Sequence, residues 1–387
     1  MMTITVLTAT RAEYGLLSPI IKRMINDDEI NVRVVVTGAH LSSEFGYTYK
    51  EIEADGIIID EKIEILEAGD GALAVSKTMG NAMIKFADYF ERKRPDALMV
   101  LGDRYETLSV CSAAMNAQIP IIHLYGGETT EGAIDEAIRH SITKMSYLHF
   151  TSTEEYRHRV IQLGENPNRV FSVGSIGVEN ALKMPLLSQK ELENSLEISL
   201  EKPYIVATYH PVTLDTVSVD EQISEFTKAI DAKSQYIYII TKANADAGGR
   251  RVNELLENYS KERDNVHVVD SLGVKRYLSA LKYCYMVMGN SSSGITEVPS
   301  FHVPTINIGN RQKGRTHAET VIDCKEDAQS ILHAMEKAES EEFRKVCLNA
   351  HNPFEKADVA ENIVSTMKRE MLDKSIELKK SFYDIPF

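Results

Sequence analysis

Short apolar runs alternate with longer amphipathic segments through the first half of the chain. The runs read as strands and the segments between them as helices, because their apolar positions recur with the periods typical of each. The predicted strands lie near 4–9, 32–37, 97–101, 119–124, 148–152 and 170–173, and the predicted helices near 16–25, 72–90, 106–116 and 134–145. Strands that are apolar throughout, separated by helices, indicate a parallel sheet covered on both faces.

The second half repeats this pattern without repeating the sequence. Predicted strands lie near 204–207, 237–240, 266–269, 285–288 and 305–308, with helices near 219–232 and 249–259. A boundary is expected near Gly177, just ahead of a polar, helix-prone stretch at 184–202. We therefore expect an α/β protein with two Rossmann-like, doubly wound domains, 1–177 and 178–359. The stretch 341–380 is expected to be helical, with 360–387 joining the first domain.

Polar residues and glycines gather just after the predicted strands. In doubly wound sheets, ligands bind beyond the carboxyl ends of the strands, and two such domains suggest a cleft between them. The residues in these places are Arg11, Gly38, 102–104, 126–128, 174–175, His210, Asn244, Ser271, 289–294 and 309–311.

The segment 284–297 is a candidate anion site. A buried strand stops at Gly289, and a polar turn leads into a helix whose first turn carries Glu297. Backbone N–H groups at such a turn, with the hydroxyls of Ser291 and Ser292, suit a diphosphate, and Glu297 suits ribose hydroxyls. Ordinary helix capping explains the same residues equally well, so both interpretations stay open.

Acidic residues after two further strands suggest acid/base chemistry. Asp103 ends one strand, and Glu128 and Asp135 follow the next, so three carboxylates are expected to converge. Carboxylates that crowd together push one another's pKa values apart, as acid/base pairs require. Turn chemistry is the alternative for Asp103. Glu136, beside Asp135, is a further candidate acid or base, and Arg139 is a candidate contact for the substrate or nucleotide. A surface ion pair between Asp135 and Arg139 on one helix face is the alternative there.

Basic residues follow other strands. Arg104 is expected either to hold a phosphate or to pair with Asp103. Arg11 sits at a helix N-terminus, where a positive charge is unfavourable, which hints at an anionic ligand. Arg311 lies in the densest basic loop of the chain, and His210 closes a strand as a possible donor or acid. A solvated loop and a structural histidine are the respective alternatives.

Composition narrows the class of protein. Of the 387 residues, 43% are hydrophobic and 26% charged, and the net charge is −14, which argues against nucleic acid as a partner but not against a nucleotide. The four cysteines lack paired spacing and are expected to be reduced thiols. The N-terminal residues predict a first strand and not a signal peptide. With no apolar run of about 20 residues, no membrane span is expected, and we expect a cytoplasmic protein.

Several segments together resemble the hydrolysing UDP-N-acetylglucosamine 2-epimerases of sialic-acid-type sugar biosynthesis. They are Thr-Ala-Thr-Arg-Ala-Glu-Tyr-Gly at 8–15, Gly-Asp-Arg at 102–104, Gly-Gly-Glu at 126–128, Gly-Ala-Ile-Asp-Glu-Ala-Ile-Arg-His at 132–140, and the runs 289–298 and 307–315. The resemblance implies the glycosyltransferase-B fold, a homodimer, a nucleotide-sugar substrate, and no metal or redox cofactor. It also implies elimination of UDP to a glycal, followed by hydration to N-acetylmannosamine.

The resemblance assigns roles to particular positions. Asp103 and Asp135 match acid/base carboxylates of the family. The remaining matches are nucleotide-side or active-site contacts at Arg11, Arg104, His210 and Asn244, diphosphate ligands at Ser291 and Ser292, a ribose ligand at Glu297, a UDP contact at Arg311 and a uridine-side position at Ser271.

One position departs from the family pattern. Many members carry a glutamate three residues before the Gly-Gly-Glu glutamate, where this chain has Tyr125. Glu128 or Glu136 could substitute, a water or the tyrosine hydroxyl could serve, or the sugar could differ. A nucleotide-linked N,N′-diacetylbacillosamine is such a sugar. The rival functions are a non-hydrolysing 2-epimerase, a glycosyltransferase of the same fold and a non-catalytic nucleotide-sugar binder.

Overall fold

A computed structural model describes residues 1–69, 71–130, 134–212, 217–243, 248–372 and 376–385. The chain forms two compact units. The first is bounded by Met1–Glu128, Asp135–Ile176 and Lys356–Phe387, and the second by Thr129–Ile134 and Gly177–Glu355.

The first unit is built on a seven-stranded parallel sheet in the order β3-β2-β1-β4-β5-β6-β7. The strands are β1 (Met2–Thr8), β2 (Ile30–Thr37), β3 (Ile59–Ile63), β4 (Ala97–Leu101), β5 (Ile121–Leu124), β6 (Leu148–Thr151) and β7 (Val170–Ser172). Its helices are α1 (Arg11–Ile25), α2 (Tyr49–Ala54), α3 (Ala72–Lys93), α4 (Tyr105–Asn116), α5 (Asp135–Met145), α6 (Glu154–Gln162) and, at the boundary, α7 (Ile176–Lys183).

The strand order reverses between β1 and β4. The chain winds from β1 towards β2 and β3 on one side, and from β4 towards β7 on the other. Crossovers that run in opposite directions leave a crevice at the carboxyl ends of these two strands, which is where doubly wound sheets bind ligands. Thr10 starts α1 there with a capping box that pairs it with Glu13.

The second unit is built on a six-stranded parallel sheet in the order β10-β9-β8-β11-β12-β13. Its strands are β8 (Tyr204–Thr208), β9 (Ile237–Thr241), β10 (Val266–Val269), β11 (Met286–Gly289), β12 (Thr305–Ile308) and β13 (Val321–Cys324). Its helices are α8 (Gln189–Leu196), α9 (Val219–Ala232), α10 (Gly249–Ser260), α11 (Gly273–Tyr283), α12 (Ser293–Thr296), α13 (Ala328–Glu339) and α14 (Glu341–Asn349). The order reverses between β8 and β11.

The predicted α/β class with two doubly wound sheets is confirmed. Two strands, β3 and β13, were missed. Both are edge strands, and in β3 (Ile-Asp-Glu-Lys-Ile) only Ile63 is buried, so the run lacks the apolar signal of a central strand.

The predicted helix after Gly289 is also corrected. α12 is one turn long, and Glu297 follows it instead of lying in the first turn of a longer helix. Pro299 explains the stop, because proline disfavours the α conformation of the residue before it and lacks an N–H donor. The chain continues as a 3-10 turn over Val298–Phe301.

The predicted helical stretch 341–380 is not continuous. α14 ends at Asn349, and a last helix, α15 (Val359–Met371), packs against α1 in the first unit. Residues 376–385 have no regular secondary structure. Within the described ranges, no helix has the length and apolar character needed to cross a membrane.

Candidate active site

Arg139 and Asp103 form the central ion pair of the first unit. Asp103 follows β4 at the point where the strand order reverses, and Arg139 projects from α5. The Arg139 side chain is 1% exposed and donates from Nη2 to the carboxylate of Asp103, which is 25% exposed. Nη1 donates to the Glu128 carbonyl at 2.7 Å and to Glu136 Oε2 at 2.8 Å. Arg139 therefore holds three segments of the candidate site together.

The charge of Arg139 is fixed by these acidic groups. Burial alone would lower the pKa of the guanidinium, but the charges of Asp103, Glu128 and Glu136 outweigh burial and raise that pKa. A permanently charged arginine beside Asp103 favours the ionised form of this carboxylate. An ionised, partly exposed carboxylate can accept a proton from a substrate carbon.

The other predicted carboxylates surround this pair. Glu136 Oε1 lies 3.1 Å from His140 Nε2. Glu128 is buried, and its Oε1 accepts a hydrogen bond of 2.9 Å from Ser152. Asp135 begins α5, where the positive end of the helix dipole favours a carboxylate.

Arg11 and Arg104 lie just after β1 and β4, the two strands between which the strand order reverses. Arg11 starts α1, with Nη1 4.0 Å from Glu51 Oε1. Arg104 Nε donates to Glu106 Oε1 at 2.6 Å, and that glutamate is buried on the first turn of α4. From the sequence, Arg104 was expected to bind a phosphate or to pair with Asp103, and the structure shows it in contact with Glu106.

Asn290 fixes the corresponding point of the second unit. It follows β11 and is fully buried, and its Oδ1 accepts from the backbone N–H of His210 at 2.7 Å. Its Nδ2 donates to the carbonyl of His210 at 2.8 Å. The Asn290 carbonyl in turn accepts from Arg311 Nη1 at 3.1 Å and from Gln312 Nε2 at 2.8 Å. One asparagine thereby joins the loops that follow β8, β11 and β12.

Gly289 makes this close approach possible. Its φ is +134°, and a Cβ at this position would collide with the backbone of Thr208 on β8. Only glycine adopts this conformation readily and leaves room for the neighbouring strand.

The remaining predicted residues of the second unit lie near helix ends. Ser271 accepts from the N–H of Gly273, the first residue of α11, at 3.1 Å. Ser291 and Ser292 lead into α12. A Cβ at Gly177 on α7 would collide with Glu297 Oε1, so the Glu297 carboxylate lies against the first turn of α7. Asn244 lies outside the described residues.

Comparison with known proteins decides the family. Residues 22–368 match the family described as UDP-N-acetylglucosamine 2-epimerase. The chain is 45% identical over 342 residues to a GDP/UDP-N,N′-diacetylbacillosamine 2-epimerase (hydrolyzing) of Campylobacter jejuni, covering 88% of each chain. It is 41% identical to the polysialic acid biosynthesis protein P7 of Escherichia coli, covering 98% of this chain and 96% of that protein.

The chain belongs to the UDP-N-acetylglucosamine 2-epimerase family. The predicted resemblance to its hydrolysing branch is confirmed, and with it the prediction of an enzyme, a nucleotide-sugar 2-epimerase. The solved UDP-GlcNAc 2-epimerase of Neisseria meningitidis, bound to UDP-GlcNAc, shares the fold with a TM-score of 0.80 at 18% identity, covering 95% of this chain and 100% of that one. Membership in this family disfavours the glycosyltransferase and binder alternatives.

Tyr125 is the position at which this 2-epimerase departs from many relatives. Its φ is +68°, and its hydroxyl accepts from the Ile176 N–H at 2.7 Å and lies 3.3 Å from Ser175 Oγ. Ile176 is the first residue of α7, so the tyrosine hydroxyl satisfies one of the unpaired N–H groups at the start of that helix. The structure gives Tyr125 a capping contact within the first unit.

Several polar residues of this site were missed in the sequence. In the first unit His123 Nε2 lies 2.8 Å from the Gly102 carbonyl, and burial lowers the pKa of this histidine to about 4, so the ring is neutral. Glu13 and Glu106 are buried at the reversal of strand order. In the second unit Asn290 and Gln312 were passed over. Glu13, Glu106, Asn290 and Gln312 lie inside the segments that carry the family resemblance, or within two residues of one. Their burial could not be inferred from the spacing of residues in the sequence.

The structure brings two groups of predicted residues together. Arg139 donates hydrogen bonds to Asp103, Glu128 and Glu136. His210 and Arg311 each form a hydrogen bond with Asn290. Among the described residues, no group of three or more His, Cys, Asp or Glu side chains is arranged to hold a metal ion.

Proposed function

We propose that this enzyme eliminates the nucleoside diphosphate from a nucleotide-linked 2-acetamido sugar and hydrates the resulting glycal. A carboxylate removes the proton from carbon 2, and the electron pair of that C–H bond forms the C1=C2 double bond. The C1–O bond breaks, and its electron pair leaves with the diphosphate. Water then adds its hydroxyl to carbon 1, and a proton returns to the opposite face of carbon 2. With UDP-N-acetylglucosamine, the products are N-acetylmannosamine and UDP.

The pairing of Asp103 with the buried Arg139 carries this proposal. Elimination needs a base that is ionised before the substrate binds, and an arginine held at 1% exposure supplies a fixed positive charge beside this carboxylate. We assign acid/base roles to Asp103 and Asp135. Because Glu128 and Glu136 touch the same arginine, they keep its position and charge and remain candidates for the second proton transfer.

The nucleotide contacts are a separate part of the proposal. We assign Arg11 and Arg104 in the first unit, and His210, Asn244 and Arg311 in the second, to the nucleotide or diphosphate. Ser291 and Ser292 would donate to the diphosphate, Glu297 would accept from ribose, and Ser271 would lie on the uridine side. In this division residues 1–177, with 360–387, form the domain that carries the catalytic carboxylates, and 178–359 form the nucleotide-binding domain.

A second sugar is a specific candidate. The Campylobacter jejuni relative, 45% identical, is named for GDP/UDP-N,N′-diacetylbacillosamine. This sugar has an acetamido group at carbon 4 and a methyl group at carbon 6, so it is less polar than N-acetylglucosamine. Tyr125, in place of the glutamate of many relatives, is compatible with a less polar pocket.

Product analysis by NMR in heavy water tests the reaction and the sugar together. The protein would be incubated with UDP-N-acetylglucosamine and, separately, with UDP- or GDP-N,N′-diacetylbacillosamine. We expect free nucleotide and a manno sugar that carries deuterium at carbon 2, and the faster substrate identifies the sugar. Recovery of an intact nucleotide sugar with deuterium at carbon 2 would indicate the non-hydrolysing reaction instead.

Two variants test the role of Asp103. Asp103→Asn removes the base and should lower kcat at least about 100-fold, because general acid–base catalysis contributes about that much. Asp28→Asn, an exposed aspartate elsewhere in the first unit, is the control and should behave like the wild type. Turnover by Asp103→Asn at the control rate would refute the assignment.

The family resemblance also suggests a cytoplasmic homodimer, which we add as a proposal. Light scattering coupled to size-exclusion chromatography should give twice the mass of the 43.4 kDa chain. A monomeric mass at working concentrations would contradict it.

A further inference from the structure

Two buried glutamates lie where the strand order of the first sheet reverses. Glu13 is on the first turn of α1, after β1, and Glu106 is on the first turn of α4, after β4. Glu13 is 8% exposed and Glu106 1% exposed. Neither figures in the acid/base or nucleotide roles assigned above.

Their contacts place them together around Ala9 and Arg104. Glu13 Oε2 accepts from the backbone N–H groups of Ala9 at 2.7 Å and Thr10 at 3.2 Å. A Cβ on Gly38 would lie 3.1 Å from Ala9 and 3.5 Å from Glu106 Oε1, so Glu106 approaches the same short segment. Glu106 Oε1 accepts from Arg104 Nε at 2.6 Å.

Each carboxyl group has one oxygen left over. Glu13 Oε1 and Glu106 Oε2 are buried, and the described residues offer neither a hydrogen-bond partner. A buried ionised oxygen without a partner is strongly unfavourable, and two such groups beside one guanidinium would give the cluster a net negative charge. A proton on one of the two carboxyl groups removes this imbalance.

We propose that Glu106 positions Arg104 for an anionic ligand and that Glu13 must carry a proton for that ligand to bind well. When Glu13 is neutral, the positive charge of Arg104 and the negative charge of Glu106 cancel. When Glu13 is ionised, a second negative charge repels the diphosphate and competes for the guanidinium. The inference rests on the proposed function, in which Arg104 contacts the nucleotide. Glu13 and Glu106 act through Arg104 and are positioning residues, not catalytic ones.

The charges around Glu13 agree with this assignment. Burial raises the pKa of Glu13 to about 7, Arg104 opposes the rise, and Glu106 adds to it. His40, which hydrogen-bonds to Thr8 at 2.9 Å, is neutral because burial lowers its pKa to about 4. Arg11 on α1 pairs with the exposed Glu51 of α2. Arg104 is therefore the cation whose charge Glu13 senses most strongly.

The sign of the pH effect follows directly. Ligand binding favours the protonated form of Glu13, so KM should rise as the pH increases through about 7. A nucleotide sugar is the right probe because its diphosphate is esterified at both ends and has no ionisation near that pH.

The first experiment measures KM and kcat for UDP-N-acetylglucosamine from about pH 6 to about pH 8. We expect KM of the wild type to rise roughly five- to tenfold across this range, as is typical of coupled binding equilibria. Glu13→Gln mimics the protonated side chain and should remove this dependence, giving a low KM throughout. Glu254→Gln, an exposed glutamate on α10, is the control and should keep the wild-type slope. A Glu13→Gln enzyme that retains the slope would overturn the proposal.

A pair of variants distinguishes a role of Glu106 in positioning Arg104 from a role in stability alone. Glu106→Gln keeps an acceptor for Arg104 Nε, whereas Glu106→Ala does not. We expect Glu106→Ala to raise KM about tenfold with kcat within about twofold, and Glu106→Gln to recover much of that loss. If both variants show the same rise in KM and the same fall in kcat, with lowered thermal stability, the role of Glu106 is only structural.

Infrared difference spectra provide a readout that needs no ligand or turnover. The C=O stretch of a protonated carboxyl group should be lost between about pH 6 and about pH 8 in the wild type and be absent from the difference spectrum of Glu13→Gln. If the band behaves so but the enzyme processes no nucleotide sugar, the proposed function fails, and the protonated Glu13 beside Glu106 and Arg104 stands. If no such band titrates in an active enzyme, the cluster fails and the function stands.

Discussion

Asn290 holds the backbone of His210 from both sides, accepting from its N–H at 2.7 Å and donating to its carbonyl at 2.8 Å. The two residues follow neighbouring strands, β8 and β11, at the reversal of strand order in the second sheet. The backbone carbonyl of Asn290 also accepts from Arg311 and Gln312, so this one residue contacts the loops that carry the proposed nucleotide ligands His210 and Arg311.

Asn290→Ala should therefore destabilise the second unit. The substitution removes the hydrogen bonds that the Asn290 side chain makes to the buried backbone of His210, which we expect to cost about 2–4 kcal/mol. Calorimetry should show a lower Tm, and UDP should bind more weakly at a temperature where the variant is folded. Asn258→Ala, at an exposed position of α10, should stay within about 0.5 kcal/mol of the wild type. An Asn290→Ala protein with the stability and UDP affinity of this control would contradict the role.

Arg139 should resist replacement even by lysine. Lysine keeps the charge but, as a single ammonium on a flexible stem, cannot match the fork that reaches Asp103, Glu136 and the Glu128 carbonyl. We expect Arg139→Met to lose about 1–3 kcal/mol of stability, since it removes the donor to the Glu128 carbonyl and the charge beside the partly exposed carboxylates of Asp103 and Glu136. Arg139→Lys should lose part of that stability together with most of kcat. Thermal unfolding and steady-state kinetics measure both effects.

Arg92→Lys is the matched control for Arg139. Arg92 also makes two hydrogen bonds to a carboxylate, Glu61, but its side chain is 54% exposed. Surface ion pairs contribute about 0–1 kcal/mol, so this exchange should leave stability and kcat nearly unchanged. If both lysine variants behave alike, burial is not what makes Arg139 important.

Gly177→Ala should displace Glu297 without unfolding the protein. The added methyl group would collide with Oε1, the far end of a side chain that can move. If Glu297 is the ribose ligand, UDP affinity should fall about tenfold, the equivalent of one hydrogen bond of about 1.4 kcal/mol. Isothermal titration with UDP measures this. Gly80→Ala on α3, where the new methyl group meets nothing within 4 Å, should leave affinity unchanged and add about 0.5–1 kcal/mol of stability. Unchanged UDP affinity in Gly177→Ala would remove Glu297 from the list of ligands.

Tyr125→Phe separates a capping role from a catalytic one. The phenylalanine keeps the ring but removes the acceptor for the Ile176 N–H, so stability should fall by about 1 kcal/mol. Because the hydroxyl caps α7, we expect kcat to change less than about tenfold. A loss of about 100-fold or more would instead place the hydroxyl in proton transfer.

The C-terminal segment should make stability sensitive to acid. Lys380 donates to the carbonyls of Lys144 and Ser146, each at 2.8 Å, and its ammonium lies 2.6 Å from Glu165 Oε2. Burial of Glu165 would raise its pKa, but His149, Lys144 and Lys380 outweigh burial and lower the pKa to about 2. The stabilisation is therefore complete above about pH 4.5 and is lost as the pH falls from there towards about 2.

Lys380→Gln tests this linkage. At neutral pH it should lower stability by about 1–2 kcal/mol, and the difference in Tm from the wild type should shrink below about pH 4, as Glu165 takes up a proton. The neighbouring, exposed Lys379→Gln should show no such difference. A gap in Tm between Lys380→Gln and the wild type that stays constant down to about pH 3 would rule out the charge pairing as its source.

Local patterns in the sequence were enough to predict the architecture and the family. The apolar runs at β1, β4, β8 and β11 mark central strands because both faces of such a strand are buried, and residues just after them mark the ligand side of each sheet. The edge strand β3 was missed because it is mostly polar and only Ile63 is buried. The edge strand β13 was missed although its first two residues, Val321 and Ile322, are apolar and buried, since a run this short gives a weak signal. The motifs at 102–104, 126–128 and 289–298 indicated the family only in combination, since capping or turn chemistry explains each of them singly.

Only the tertiary structure decided which of these residues touch. A pattern cannot tell that Arg139 pairs with Asp103, 36 positions away, because this contact depends on how α5 packs against the end of β4. Nor can it tell that Glu13 and Glu106 are buried beside Arg104, since burial is a property of neighbours distant in the chain. Periodicity and motifs therefore determined the two sheets and the ends at which chemistry is expected. Packing alone determined which charges are paired, which are buried and so which protons the enzyme can hold.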